Sequence, residues 1–389
     1  MNKTISTKKK IIIALLLLLL AFTIWRLLRP LNIFVVEDKF AYGLAVTIPK
    51  GLDSISAKSC GVCHEEIYNE WSESIHAQAW SDPYYQVDMK FEGSPPVCIN
   101  CHIPLQAQRE QIIVGYKDSD KLDPILKNNP DFDAQLQSEG VTCAACHIRD
   151  GVIIGTHKID DAPHPVKQDE RFLSQNSPCI MCHKVSGDRW DMFYKRPPCG
   201  TISEIAEKNL KADCVGCHMP ETVRPVVLGG VARKSGKHLF HGGHTPAKVK
   251  SALSVDYRFS ENKFNKTFTL TLTNSGTNHY LPTGTPDRHL TVDIKLLDAD
   301  NRVIKEKKEK LIRNIIWRPF IFDLYDSRLP YGEPRDFSIS FNNRGNNIVK
   351  TVDVTVKYHL LEESRRKRIG YIPTTPINYP IYQKRIDVP

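Results

Sequence analysis

The sequence predicts three parts: an N-terminal membrane helix, a mainly α-helical and loop-rich domain, and a C-terminal antiparallel β-sandwich. Three observations predict this architecture. An uninterrupted apolar run from Ile11 to Trp25 follows a cluster of lysines. Ten of the eleven cysteines then occur as five closely spaced pairs between Cys60 and Cys217. Beyond Ser251 cysteine is absent, and apolar and polar residues alternate as they do in half-buried strands.

Length, composition and charge are those of an ordinary folded protein. The 389 residues are 25% charged and 41% hydrophobic, which is enough apolar material for two or three folded domains. The formal net charge of +9 favours acidic partners or anionic lipid surfaces. Its densest cluster, Arg365 to Arg368, is interpreted as a solvated turn, with docking to an acidic partner as the alternative. No nucleic-acid-binding motif accompanies the charge, so we expect no nucleic-acid partner.

The first thirty residues have the pattern of an exported membrane segment. Lys8, Lys9 and Lys10 precede the apolar run, and positive charge ahead of an apolar core favours insertion with the following chain outside the cytoplasm. The run is short for a spanning helix, which needs about 20 residues. A cleaved signal peptide would need an A-x-A-like site, and residues 22–32 contain none. We therefore favour an uncleaved single-pass anchor over residues 1–30 in the inner membrane, with the bulk of the chain periplasmic or otherwise extracytoplasmic, over a removed signal peptide.

The paired cysteines belong to one repeated motif, C-x-x-C followed at once by histidine. Its copies start 38, 45, 36 and 35 residues apart. Two thiols at this spacing can add to the two vinyl groups of one haem, and the adjacent imidazole then ligates the iron. Zinc sites and disulfides are the alternatives for C-x-x-C, but five copies with an immediate histidine in an exported chain favour haem. The motifs are Cys60, Cys63 and His64; Cys98, Cys101 and His102; Cys143, Cys146 and His147; Cys179, Cys182 and His183; and Cys214, Cys217 and His218.

Five motifs predict five covalently bound haem c groups, each with its iron. No stretch between motifs is long enough to bury a core of its own, so we expect the haems to fill the core of a cytochrome domain over residues 31–226. Thr201 and Glu204, three positions apart, predict a capping box that opens a short helix before the last motif. A connecting segment over 227–250 and the β-sandwich over 251–389 complete the chain.

The nine histidines outside the motifs are candidates for the second ligand of each iron. A haem with two imidazole ligands is saturated and only exchanges electrons, whereas an open position can bind and transform a small molecule. His76 lies on a predicted helix over 65–80, one residue from its apolar stripe. His244 and His279 lie beside glycine or proline turns that allow close approach to a flat ring. The candidate ligands are His76, His164, His238, His244 and His279. We expect structural or exposed roles for His157, His241, His289 and His359.

Several stretches around these histidines carry a family resemblance. They are CGVCHEEIYNEWSESIHAQA from Cys60, CAACH with a following APHP, CVGCHMP, HLFHGGH from His238 and HYLPTG from His279. They resemble the superfamily of the tetrahaem cytochromes c and hydroxylamine oxidoreductase, which includes the tetrahaem electron carrier of ammonia oxidisers. The resemblance covers most of the chain from Cys60 to about Phe341. It implies that the second histidines are distal ligands in a stack of close haems, and that the C-terminal β-domain contributes one of them.

These features predict electron transfer through mainly low-spin haems, between a redox-protein or quinol donor and a redox acceptor. An electron carrier is favoured over a catalyst, and two other functions stay open. One is a reductase or oxidase of small nitrogen or sulfur compounds with one open haem, and the other is a quinol dehydrogenase subunit. Cys199, the odd cysteine, is interpreted as a small packing residue, with a reactive thiol or an unusual iron ligand as the alternative. Met219, next to a motif histidine, is interpreted as packing.

Overall fold

The structure is a computed structural model of the chain. It describes residues 6–28, 42–93, 96–117, 124–173, 177–183, 199–316, 322–342 and 348–389. The boundary predicted at residue 30, between the membrane segment and the cytochrome domain, lies outside the described residues.

The predicted N-terminal segment forms one helix, α1 (Thr7–Leu28). Its large apolar side chains are exposed around the whole helix rather than along one stripe, which is unusual for a helix in water. The exposed side chains include Ile11, Ile12, Ile13, Leu15 to Leu20, Phe22, Ile24 and Trp25. Among the residues that the structure describes, no helix combines the length and apolarity needed to cross a membrane.

The region with the cysteine motifs is built from short helices joined by loops, and each motif lies on or at the end of one of them. The motif helices are α2 (Ala57–Gly61), α5 (Pro96–His102), α7 (Cys143–His147), α9 (Ser177–His183) and α11 (Cys214–His218). The others are α3 (Glu65–Ser72), α4 (Pro83–Phe91), α6 (Ala134–Ser138), α8 (Glu170–Leu173), α10 (Thr201–Glu207) and α12 (Pro246–Lys250).

Small two- and three-stranded sheets pack between these helices. The strands are β1 (Gln111–Tyr116) with β2 (Pro124–Asn128), β3 (Ile148–Arg149) with β4 (Val152–Gly155) and β5 (Val166–Gln168), and β6 (Glu221–Pro225) with β7 (Ala232–Gly236). The apolar core of this region is small for its length. Its buried members are Ile55, Leu105, Leu136, Ala144, Ala145 and Ile148.

The helix predicted over 65–80 is shorter in the structure. Helix α3 ends at Ser72, and residues 73–80 continue as turns, so His76 lies on a turn and not on a helix. The Trp71 indole donates to the carbonyl of Val141 at 2.9 Å, and the Val141 amide donates to the carbonyl of His76 at 2.9 Å. Because these contacts use the His76 carbonyl, a regular helix does not continue through this segment.

The capping box predicted at Thr201 is wrong. Helix α10 starts at Thr201 but its N-cap is Gly200, without a side-chain cap. Glu204 is instead buried and binds outside its own helix, where it accepts from the Arg328 guanidinium at 2.6 Å and from the Thr283 hydroxyl at 2.7 Å. Glu204 therefore contacts the C-terminal domain and does not cap its own helix.

The C-terminal domain contains two antiparallel sheets around one core. One sheet has the order β12-β11-β10-β14-β15 and the other β13-β9-β8. The strands are β8 (Leu253–Glu261), β9 (Lys266–Asn274), β10 (His289–Leu297), β11 (Val303–Ile316), β12 (Phe322–Asp326), β13 (Pro334–Phe341), β14 (Thr351–His359) and β15 (Asn378–Asp387).

Alternate side chains of these strands point into the shared core, as the sequence pattern predicts. Burying each large aliphatic or aromatic side chain stabilises the fold by about 1.5–3 kcal/mol. Inward-facing examples are Phe268, Leu270 and Leu272 on β9, Val292, Ile294 and Leu296 on β10, and Val352, Val354 and Val356 on β14.

Charged contacts among the described residues hold the sandwich against the helical region, two of them through arginine. The first is the buried pair of Arg328 with Glu204. The second comes from helix α13 (Glu363–Ile369), which contains the basic cluster predicted as a solvated turn. That prediction is wrong, because Arg365 binds Asp88 at 2.5 Å and Glu92 at 2.6 Å. Arginine held by two carboxylates fixes α13 on the end of α4.

Candidate functional site

A large cavity lies in the middle of the molecule, between the short helices and the β-sandwich. Its volume is about 3200 Å³, and every cysteine and histidine of the five motifs lines it. A typical small-molecule pocket is about 300–1,000 Å³. The cavity therefore has room for several large groups, and its walls carry the thiols and imidazoles that would attach them. Because this cavity occupies the middle of the molecule, the apolar core of the helical region is small.

Backbone carbonyls hold four of the motif histidines from behind. A carbonyl only accepts, so each Nδ1 carries the proton and leaves Nε2 as the free, ligating nitrogen. The Nδ1 acceptors are Val226 for His64 (2.6 Å), Ala79 for His102, Ile154 for His147 (2.9 Å) and His241 for His218 (2.6 Å). The sequence analysis missed these acceptors, because a backbone carbonyl has no residue-type signature.

Two of the candidate second ligands are held in the same way. The Nδ1 of His238 donates to the carbonyl of Gly236 at 3.0 Å, and the Nδ1 of His279 donates to that of Tyr280 at 2.9 Å. Both rings therefore also keep Nε2 available. All five candidates, His76, His164, His238, His244 and His279, line the same cavity as the motifs.

Three motif histidines face three of these candidates across the cavity. A metal–imidazole bond is about 2.0 Å long, so two imidazoles on opposite sides of one metal have ring centres a little over 6 Å apart. The observed separations between ring centres match this distance. A haem iron would therefore fit between the two rings of each pair. The pairs are His76 with His183 at 6.4 Å, His147 with His238 at 6.2 Å, and His218 with His279 at 6.4 Å.

Burial keeps these imidazoles neutral, which is the form that ligates metals. Desolvation, with smaller contributions from neighbouring histidines, lowers the pKa of His76 to about 3. Burial is also the main cause that lowers the pKa values of His238, His244 and His279 to about 4.

The other two motif histidines have no comparable facing ring among the described residues. His164 lies near His64, as their electrostatic interaction shows, and its Nδ1 is buried without a hydrogen-bond partner. Asp82 lies within electrostatic range of both His244 and His102. The Tyr85 ring packs flat on the His102 imidazole, 3.6 Å between centres and 4° from parallel.

The histidines with predicted structural roles take different positions. His289 and His359 stack on each other at 4.3 Å across β10 and β14, and His359 Nε2 bonds the Thr291 hydroxyl at 2.9 Å. The carbonyl of His241 supports His218, and both His241 and His157 border the cavity.

Cys199 lies in the cavity wall with a positive φ of 58°. Burial is the main cause that raises the pKa of its thiol to about 11, and the neighbouring Cys101 also raises it. The thiol is therefore protonated at neutral pH and weakly nucleophilic, as expected for a packing residue.

Thiols from different motifs contact one another. The neighbouring pairs are Cys143 with Cys60, Cys182 with Cys101, and Cys179 with Cys214. Cys146 is close enough to interact electrostatically with both cysteines of the fourth motif, Cys179 and Cys182. The fourth motif therefore borders the second, third and fifth, and the first borders the third.

Comparisons with known proteins agree with this geometry. A sequence profile of the family described as cytochrome c554 and c-prime matches residues 59–148, which contain the first three motifs. A penta-heme cytochrome c552 from Thermochromatium tepidum superimposes with a TM-score of 0.66 at 21% identity, covering 87% of this chain and 100% of that chain. The chain has a multihaem cytochrome fold.

Other comparisons add nothing to this fold assignment. No curated protein matches the chain. A protein described as AvmM, which catalyses macrocyclization in alchivemycin A biosynthesis, aligns at a TM-score of 0.20 and 11% identity over 36% of this chain and 89% of that chain. A β-glucosidase from Kluyveromyces marxianus aligns at 0.16 and 10% identity over 36% and 14%. Scores this low carry no argument.

Proposed function

We propose that the protein is an exported electron-transfer cytochrome that binds five haem c groups. The observation that carries this proposal is the cavity in which all five motifs meet and three motif histidines face a second histidine at 6.2–6.4 Å. When bound, each haem supplies a one-electron iron couple. Two histidines on one iron leave no position for a substrate, which favours an electron carrier.

Residues of this chain set the conditions for that exchange. The motif thiols attach the groups, and the carbonyls behind His64, His147 and His218 fix the ring orientation. Enclosure within the cavity keeps the second histidines unprotonated and free to ligate. The profile match over the first three motifs supports membership in the wider tetrahaem cytochrome c and hydroxylamine oxidoreductase superfamily.

The contacts between motif thiols support an order for the relay. A haem held by the first motif would neighbour that of the third, the third would neighbour the fourth, and the fourth would neighbour both the second and the fifth. Electrons from a redox-protein or quinol donor would therefore pass through the fourth group, held by Cys179, Cys182 and His183, on most routes to an acceptor.

The cofactor content tests the proposal directly. Pyridine haemochrome analysis with intact mass should give five covalent haems per chain, and the ferric spectrum should be predominantly low spin because most irons carry two imidazoles. Cys199→Ala is the matched control, since it removes the cysteine outside the motifs and should keep five. A folded chain that carries zinc instead of haem would contradict the proposal.

A second candidate function is oxidation or reduction of a small nitrogen or sulfur compound at one open iron. It is favoured by the absence of a facing ring at His64 and His102 among the described residues. A high-spin ferric signal that shifts on addition of nitrite or sulfite would support it. A wholly low-spin protein that ignores both compounds leaves the carrier function.

We also propose that α1 attaches the protein to the inner membrane, with the remainder on the periplasmic side. Exposed apolar side chains on all sides of α1 and the preceding lysines support this. The full-length protein should fractionate with membranes, and removal of residues 1–30 from an otherwise exported chain should release it. Leu16→Lys with Leu19→Lys should do the same, because a lysine in a membrane interior costs about 3 kcal/mol. A soluble mature chain that starts near residue 31 would instead show a cleaved signal peptide.

A further inference from the structure

Arg288 is a cation in the cavity wall that has no carboxylate partner among the described residues. It lies immediately before β10, and its Nη1 and the Tyr358 hydroxyl both lie beside Gly243. Two buried arginines elsewhere in the described chain bind carboxylates: Arg328 binds Glu204, and Arg313 binds Asp323. Arg288 is half-buried in the described structure, and a group that fills the cavity would enclose it further. An enclosed guanidinium without an anion is costly, so such a group should balance this charge.

The chain provides a recess shaped for this guanidinium. A Cβ added to Gly284 would lie 3.1 Å from its Nη1, and φ at Gly284 is +97°. A Cβ added to Gly243 would lie 3.1 Å from Nη1 and 2.7 Å from the Tyr358 hydroxyl oxygen. The glycines of the HLFHGGH and HYLPTG stretches therefore both make room for Arg288. Tyr379 closes the recess, because its ring stacks on Tyr358 and its hydroxyl donates to the Gly243 carbonyl.

The guanidinium lies within electrostatic range of candidate haem-ligand positions. Its charge acts on His183, the histidine of the fourth motif, and on His244. It also acts on Cys199, which is close to both cysteines of the second motif. Arg288 thus lies where the second and fourth groups approach each other.

A haem carries two propionate carboxylates, which the five motifs would enclose in this cavity. Arginine offers a planar pair of donors that matches a carboxylate. This inference rests on the proposed haem content. We propose that Arg288 binds a propionate of a haem held beside His183 and His244, and thereby raises the reduction potential of that haem.

The test compares Arg288→Gln with Arg288→Lys in the full-length holoprotein. Loss of a cation beside a haem destabilises its reduced form, so Arg288→Gln should lower the midpoint potential of one haem by an amount equivalent to about tenfold in its reduction equilibrium, or about 59 mV. Resonance Raman should show a changed propionate bending band, and the haem count should stay at five. Arg288→Lys should restore most of the potential but not the band, since lysine keeps the charge without the paired donors.

Two further variants serve as controls. Arg258→Gln removes an arginine that binds Asp336 on the outer surface and should change neither readout. Tyr358→Phe keeps Arg288 but removes the hydroxyl beside it, so it should give a smaller fall in the same potential. It also provides the readout if Arg288→Gln does not fold.

Two results would overturn the proposal. One is an unchanged set of five potentials and an unchanged Raman band in Arg288→Gln and Tyr358→Phe. The other is a wild-type spectrum that shifts with added phosphate or nitrite and loses that response in Arg288→Gln, while the potentials in anion-free buffer stay equal; the recess would then hold a free anion. A wild-type protein with fewer than five haems would refute the proposed function instead. The haem count therefore distinguishes failure of the proposed function from failure of the Arg288 proposal.

Discussion

Replacing His279 by alanine is expected to convert one low-spin haem to high spin and to loosen the β-sandwich from the helical region. His279 belongs to the segment between β9 and β10, yet its ring faces His218 of the last motif at 6.4 Å. An iron between these two rings would tie the domains together. Tyr280 beside it donates its amide to the buried Glu204, so the same segment also carries the Glu204–Arg328 contact.

The ferric absorption and EPR spectra measure the first effect, and limited proteolysis between the domains measures the second. High-spin signal should account for one haem of five, and its potential should change because an imidazole ligand is lost. His241→Ala is the matched control, because His241 supports His218 through its backbone carbonyl and not through its ring. An alanine variant at 279 that stays wholly low spin and equally protease resistant would make His279 a turn residue, and His241 would be the next candidate.

Local sequence patterns predicted the parts of the fold that local physics determines. The strands of the sandwich follow from alternation, because a strand such as β9 needs Phe268, Leu270 and Leu272 on one face to pack at all. The motifs follow from covalent chemistry that requires two thiols and a histidine at fixed spacing.

Tertiary contacts decided the features that the sequence did not predict correctly. The helix expected over 65–80 ends at Ser72, because Trp71 and the carbonyl of His76 bind Val141 from a distant part of the chain. Glu204 matched a capping pattern but is used by Arg328 from the other domain. No local pattern carries the identity of such partners.

The pairing of motif histidines with second histidines likewise depends on tertiary contacts that no local pattern carries. The sequence identified His76, His238 and His279 as candidates, but only the folded chain brings them opposite His183, His147 and His218. Arg288 went unnoticed in the sequence because one arginine among many has no signature. The signal that could have found it is the pair of glycines in the two histidine-rich stretches, which leave space for a side chain between them.

Replacing His76 by methionine is expected to place an electron trap at the centre of the relay. His76 faces His183 of the fourth motif, which borders the second, third and fifth. Methionine opposite histidine raises the potential of a haem iron while the thioether links of that haem stay intact. The equilibrium for passing an electron on from the fourth group then becomes about tenfold less favourable for each 59 mV of added potential, which slows the departure of the electron.

Transfer along the chain measures this effect. A photosensitiser on Lys58→Cys, at an exposed position beside Cys60 in α2, injects electrons near the first group. His279→Met marks the fifth group with a His/Met spectrum, so the arrival of the electron can be followed by transient absorption. Adding His76→Met should slow the arrival of the electron at the fifth haem at least tenfold. Adding His244→Met, on the branch to the second haem, should change the amplitude of the arrival signal more than its rate. Equal arrival rates with and without His76→Met would mean that electrons bypass the fourth group, and the order drawn from the thiol contacts would be wrong.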